Sequence, residues 1–234
     1  MTDTKTRILD VSLSLFNSEG ERQITTNHIA EAAGISPGNL YYHFRNKGAI
    51  VAALFVRYET RLLTLLQEPA TEIGWREKMF YFEGILASMW QYRFFHRDLS
   101  HFLQSDELLH QRYRAFVRQV LARGRVIYQH MRNSGVLTLD DDQLEGLLVN
   151  TWVLMSSWAS TVNALHPQLH RDEKLENRLM KQGIYQLICL ETPYLSDEAR
   201  AHLDELRVRY QAADPFVPLL LGNEDLALSA TSNR

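Results

Sequence analysis

The sequence is poor in several features that mark other classes of protein. It has a single cysteine, Cys189, so no disulfide can form within the chain, as is usual in a reducing compartment. It has no run of about 18 apolar residues, and its N-terminal stretch lacks the apolar centre of a signal peptide. We therefore expect a cytoplasmic protein with no membrane partner.

Excess positive charge is also missing. The formal net charge is -3, and within the first 47 residues the basic and acidic side chains balance. Bulk electrostatics therefore give no general attraction to nucleic acid. Any nucleic-acid-binding surface would have to depend on where individual groups are placed.

Patterns typical of β-strands are absent as well, and apolar residues recur instead at helical spacing. In the first segment, for example, Ile8, Leu9, Leu15 and Phe16 would share one face of a helix. The sequence thus predicts an all-α fold. Its longer helices are expected at about 3–18, 47–67, 75–92, 94–103, 106–133, 140–165 and 172–190.

The stretch AAGISPGNLYYHFRNK, residues 32–47, predicts two short helices joined by a tight turn. Gly34 ends the first helix, Ser36 can cap the second, and Pro37 suits a first helical position. Leu40 and Phe44 would anchor the second helix, which leaves its opposite side free. This arrangement is a helix-turn-helix, whose second helix enters the major groove of DNA.

The free side of that helix carries groups suited to DNA. Asparagine can pair with adenine, hydroxyls can reach phosphates, and Gly38 allows a close backbone approach. Lys47, at the start of the next helix, is expected to meet a phosphate. The candidate DNA-binding residues are Thr25, Thr26, Asn27, Ser36, Gly38, Asn39, Tyr42, His43 and Lys47.

The pattern T-x-x-x-I-A-x-x-A-G-I-S-x-G-x-L-Y-x-H-F-x-x-K, from Thr25 to Lys47, resembles that of the TetR family of transcriptional regulators. The resemblance implies a helix-turn-helix domain over residues 1–48 and a ligand-binding and dimerisation domain over 49–195. Residues 196–234 lie beyond the usual body and have no assigned role. The resemblance further implies that the protein binds a near-palindromic operator as a homodimer and acts more often as a repressor. No metal or cofactor is expected.

Half of the aromatic residues lie between Trp75 and Tyr128. Each one alone is most simply a core residue, but the resemblance implies a small-molecule cavity among the middle helices. The SPGNLYYHF string and the Arg-Phe-Phe run are similar to those of regulators of lipid and polyhydroxyalkanoate metabolism, which implies a fatty acid or acyl-CoA effector. The candidate pocket residues are Phe82, Trp90, Phe94, Phe95 and Phe102, with Arg97 to meet an acidic head group.

The resemblance also implies a dimer surface on the helices at about 142–165 and 172–190. Leu148, Trp152 and Met155 form an apolar stripe on the first of these helices, and Leu187 lies on the second. A stripe of this kind could equally face the core of its own subunit.

Two other functions remain open from the residues. An α-helical enzyme would need a catalytic constellation, but Glu107 and His110 read as surface residues and Cys189 as a buried, unreactive one. No glycine-rich phosphate loop is present. A regulator that needs no ligand and acts through a protein partner is the other alternative, and a filled body would favour it.

Overall fold

The structure is a computed structural model that describes residues 3–69, 73–166 and 173–210. Within these ranges the regular elements are helices, apart from one isolated antiparallel bridge between Leu137 and Leu195. The all-α prediction is therefore confirmed. The helices are α1 (Thr4–Glu19), α2 (Thr26–Ala32), α3 (Pro37–His43), α4 (Lys47–Leu65), α5 (Trp75–Gln91), α6 (Arg93–Arg97), α7 (Leu99–Ser105), α8 (Glu107–Asn133), α9 (Asp141–Leu165), α10 (Glu173–Glu191), α11 (Asp197–Arg200) and α12 (Leu203–Tyr210).

Short polar side chains fix where several of these helices begin. Asn46, Asp106 and Asp140 accept hydrogen bonds from backbone N–H groups in the first turns of α4, α8 and α9. Each cap satisfies one of the N–H groups that a helix start leaves without a partner. The longest helices thus start where their sequence places a capping residue.

Helices α1 to α3 form a small N-terminal head, and α5 to α10 form the larger body. Helix α4 belongs to both, so the domain boundary expected at residue 48 falls in its first turn. A buried aromatic cluster fills the junction: the Phe55 ring stacks on Phe95 at 5.0 Å and meets Phe116 edge-on at 5.5 Å. Burial of such large rings stabilises the contact between head and body.

The chain beyond Leu195 packs onto the body. The Ser196 N–H donates to the Val136 carbonyl at 3.1 Å, and the His202 ring stacks on Trp75 at 4.2 Å. Helix α12 then lies against α10, and its Arg209 pairs with Glu83 of α5 at 2.8 Å. Residues 197–210 therefore extend the body, and the remainder of the predicted 196–234 segment lies outside the described residues.

Candidate nucleic-acid interface and ligand cavity

The helix-turn-helix is built by local backbone rules. Thr25 caps α2 by accepting a hydrogen bond from the His28 N–H at 3.2 Å. Gly34 follows with φ 63°, a conformation that glycine adopts at little cost, and Ser36 caps α3 with Pro37 at its first position. The tight turn and the Ser36 cap lie where the sequence predicts them.

Helix α3 presents its polar side outward. Leu40 is fully buried and Phe44 is 5% exposed, whereas the Tyr42 side chain is 84% exposed. Asn39 and Gly38 are also exposed, and the His43 ring lies edge-on to Tyr42 at 5.1 Å. The predicted contact residues on α3 thus share an accessible face.

The start of α2 lies beside this face. The Thr26 hydroxyl and the Tyr41 hydroxyl are 2.9 Å apart, within hydrogen-bond distance, which connects α2 to α3. Thr25, Asn27 and Ser36 are exposed. Tyr41 was not among the predicted contact residues, but it lies next to Tyr42 and is 50% exposed.

Lys47 differs from its expected role. Its ammonium donates to the carbonyls of Glu21 and Ile24, both at 2.8 Å, and pairs with the Glu21 carboxylate at 3.0 Å. Three partners use the three N–H donors of an ammonium group. In this structure Lys47 therefore ties α4 to the segment before α2, and a phosphate contact would require it to release one of these partners.

The body contains an apolar cavity of about 50 Å³ between the end of α4 and helices α5, α8 and α9. Phe82, one of the candidate pocket residues, is one of its walls. The other lining residues are Leu66, Tyr81, Ile85, Val120, Leu121, Gly124, Ile127, Tyr128, Met131, Leu148, Thr151, Trp152 and Met155.

The other predicted pocket residues lie elsewhere, so that prediction needs correction. Phe94, Phe95 and Phe102 pack in the aromatic cluster between head and body, where Phe95 stacks on Phe102 at 5.5 Å. Trp90 donates its indole N–H to Glu176, and Arg97 donates to the Phe16 carbonyl at 2.9 Å. The Phe16 carbonyl and the Asp98 carboxylate thus occupy the Arg97 guanidinium, which was expected to meet an acidic head group.

A buried polar network lies behind one end of the apolar cavity. The Tyr128 hydroxyl donates to the Glu191 carboxylate at 2.6 Å and lies 2.8 Å from the Thr151 hydroxyl. The other oxygen of Glu191 pairs with the Lys78 ammonium, and neither charged side chain is more than 3% exposed. Burial and the Glu191 charge raise the pKa of Tyr128 well above its usual range. This network could not be predicted from the sequence, because its members come from four different helices.

The predicted dimer residues also face inward. Leu148, Trp152 and Met155 line the cavity of their own subunit, and Leu187 is 1% exposed. Because α9 is covered on this side by α5 and α8, the stripe is core, as one of the two open interpretations allowed. The outer side of α9 instead exposes Val149 and Val153, at 49% and 53%.

Cys189 was expected to be buried, but it is exposed on α10. Across residues 3–69, 73–166 and 173–210, no group of three or more His, Cys, Asp and Glu side chains could hold a metal ion. Nor is any helix of these ranges both long and apolar enough to cross a bilayer.

Polar contacts join the head to the body outside α4. The Asn17 side chain donates to the Gln91 carbonyl at 2.8 Å and accepts from the Phe94 N–H at 3.1 Å. Within the body, Glu59 of α4 accepts from Arg112 of α8 at 2.8 Å. A rearrangement of the body can therefore reach the head through both α1 and α4.

Comparison with known proteins agrees with this architecture. Residues 8–54 match a family of "Bacterial regulatory proteins, tetR family", and residues 57–203 match a family described as "Bacterial transcriptional repressor". The HTH-type transcriptional regulator UidR of Escherichia coli K12 is 33% identical over 76 residues, which cover 32% of this chain and 39% of UidR. The match thus spans well under half of that relative.

Solved structures cover more of the chain. A TetR-family transcriptional regulator from Marinobacter aquaeolei VT8 is 39% identical, with a TM-score of 0.79 over 90% of this chain and 100% of that one. The fatty acid degradation regulator FadR from Bacillus halodurans shares the fold at 16% identity, with a TM-score of 0.58 over 80% and 96%. Since the two family matches together span most of the chain, the protein belongs to the TetR family of transcriptional regulators, which are DNA-binding proteins and not enzymes.

Proposed function

We propose that this regulator binds a near-palindromic operator as a cytoplasmic homodimer and represses transcription until a small apolar effector releases it. The single observation that carries the proposal is the outward face of α3, where Tyr42 is 84% exposed although the same helix is anchored by a fully buried Leu40. A large aromatic side chain held out into water by a rigid helix is suited to contact with a partner surface. In a helix-turn-helix that partner is the major groove of DNA.

The homodimer follows from the geometry of DNA. Two recognition helices must be spaced by about one helical turn, roughly 34–36 Å, to read two half-sites. The exposed apolar side of α9, with Val149 and Val153, offers a surface for pairing with a second copy. Dimerisation also doubles the contacts to DNA, which a chain without excess positive charge requires.

The effector would act by shifting populations. A cavity of about 50 Å³ is much smaller than the roughly 300–1,000 Å³ of ordinary ligand sites, so a ligand must bind an expanded arrangement of the body. If that arrangement spaces the recognition helices differently, binding of the ligand lowers the affinity for DNA. An acyl chain, as in a fatty acid or acyl-CoA, matches the apolar walls, and the polar network behind one end of the cavity restricts which head group accompanies it.

Substitution of Tyr42 by alanine tests the DNA-binding part. Because the side chain is exposed, we expect an unchanged melting temperature and a loss of roughly 1–3 kcal/mol of operator binding. Operator fragments selected from random duplexes by the wild-type protein would supply the probe for fluorescence anisotropy. Val208→Ala, at an 88% exposed position on α12, is a control far along the chain from the head. Equal affinity of the Tyr42 variant and the wild type would remove α3 from the interface.

A further inference from the structure

The charge of the buried network restricts what the cavity can hold. Among the cavity-lining residues of the described chain no side chain is charged, and the two charged groups behind the wall, Lys78 and Glu191, neutralise each other. A ligand carboxylate would enter without a counter-ion and would approach the Glu191 carboxylate across the Tyr128 hydroxyl. Burying an uncompensated charge is among the costliest steps in binding, so this site disfavours anions.

A cationic ligand meets the converse problem. The Glu191 carboxylate is already paired with the Lys78 ammonium and accepts from the Tyr128 hydroxyl. The Lys78 ammonium also lies 5.5 Å from the centroid of Phe82, one of the cavity walls. A second cation at this end would therefore be repelled by Lys78 without gaining an unpaired anion.

The direction of the hydrogen bonds further restricts which class of ligand the cavity can hold. A tyrosine hydroxyl has one proton, and that of Tyr128 is donated to Glu191. The contact of 2.8 Å between Tyr128 and Thr151 must then be donated by the Thr151 hydroxyl. Both protons are used, so a ligand that reaches the Tyr128 and Thr151 oxygens in an expanded cavity finds only lone pairs there.

We infer that the cavity takes an uncharged apolar molecule that ends in a hydroxyl group, such as a long-chain alcohol or a phenol. The hydroxyl donates to the Thr151 oxygen, and the apolar remainder lies along Phe82, Trp152 and Met155. This inference rests on the proposed effector function and names the class of effector. It also replaces the acidic head group expected from the sequence by a neutral one.

Three ligands with the same chain test the inference on the full-length wild-type protein: decanol, its methyl ether and decanoate at neutral pH. Binding is followed by the rise in melting temperature and by tryptophan fluorescence, to which the cavity residue Trp152 contributes. We expect the methyl ether to bind several-fold more weakly than decanol, and decanoate at least roughly tenfold more weakly. Decanoate that binds as tightly as decanol, or more tightly, would overturn the inference.

Two isosteric variants assign the preference to the network. Thr151→Val removes the acceptor and should bring decanol down to the affinity of its methyl ether, whereas Thr161→Val, at an exposed position of the same helix, should change nothing. Glu191→Gln leaves the Lys78 charge without its partner, so the affinity for decanoate should rise relative to the affinity for decanol. An unchanged ratio of decanoate affinity to decanol affinity in Glu191→Gln would exclude Glu191 as the cause.

These outcomes are separable from a failure of the proposed function. Operator binding by the unliganded protein is measured without any of the three compounds. The expected loss of operator binding in Tyr42→Ala therefore does not depend on whether a ligand binds. Binding of none of the three ligands would overturn the inference and the effector part of the proposal together. Binding of decanol with no effect on operator affinity would leave the ligand class in place but would remove its regulatory role.

Discussion

At the residue scale, Gly38 is a glycine that the protein's own fold does not require. Its φ is not positive, and a Cβ atom added there would meet only the Ser36 hydroxyl oxygen, at 4.0 Å. Within a helix, glycine costs roughly 0.5–1 kcal/mol relative to alanine. Replacing Gly38 by alanine would stabilise the protein on its own. A close approach of the α3 backbone to DNA would explain why glycine is present there.

Substitution of Gly38 by alanine separates these two effects. We expect the free energy of unfolding to rise by about 0.5–1 kcal/mol, because alanine favours the helix. We also expect operator affinity to fall several-fold, because the new methyl group would lie between α3 and the groove. Urea denaturation and fluorescence anisotropy measure the two quantities on the same sample. A more stable protein with undiminished operator affinity would contradict the role given to Gly38.

Lys47 shows what residue-level prediction leaves out. Its place at the start of α4 suggested a phosphate contact, since only its position along the chain was known. Its partners are 23 and 26 residues earlier in sequence and become neighbours only when the Glu21–Gln23 turn folds against α4. The Ser36 cap could be predicted because it acts within three residues.

At the scale of elements, the helical periodicity predicted nearly every helix but could not tell which neighbour covers each face. In α9 both Leu148 and Val153 are apolar, yet the first lines the cavity and the second is 53% exposed. The helix expected over 94–103 is interrupted at Asp98. No proline or glycine in this stretch predicts the interruption. The Asp98 carboxylate contacts Arg97 and Arg22.

The outer face of α9 gives a test of dimerisation. We expect Val153→Glu to raise the dimer dissociation constant by at least about a hundredfold, since a dimer would bring two like charges into one interface. Operator affinity should fall with it. Val208→Glu, the same substitution at an exposed site on α12, should leave the dimer intact. Sedimentation velocity measures the dimer content of both variants. If Val153→Glu is still a dimer at a concentration at which the wild type is a dimer, the interface lies elsewhere.

At the scale of the whole molecule, head and body share one buried interior. The aromatic residues of α6 and α7 were expected to line a pocket, but residue type alone does not distinguish a pocket wall from a core. The structure places Phe94 against Phe16 of α1 and Phe95 against Phe55 of α4. His96 belongs to the same interior, where its Nε2 lies 3.0 Å from the Tyr58 hydroxyl.

This buried histidine makes global stability depend on pH. Burial lowers the pKa of His96 from 6.5 to about 4, although a backbone contact with Ser156 acts in the opposite direction. Above pH 6.5 neither state is protonated. Between pH 6.5 and 4 the unfolded chain binds a proton that the native state refuses, so stability falls with acidification, by up to roughly 3 kcal/mol.

Urea denaturation of the wild type and of His96→Gln across this range isolates the effect. The glutamine side chain can still hydrogen-bond with Tyr58 but does not titrate, so the variant should lose less stability than the wild type as the pH falls from 6.5 to 4. Carboxylates that titrate in the same window act on both proteins and cancel in the difference between the two curves. Parallel curves would mean that His96 is protonated in the native state, and hence that the interior shared by head and body admits solvent.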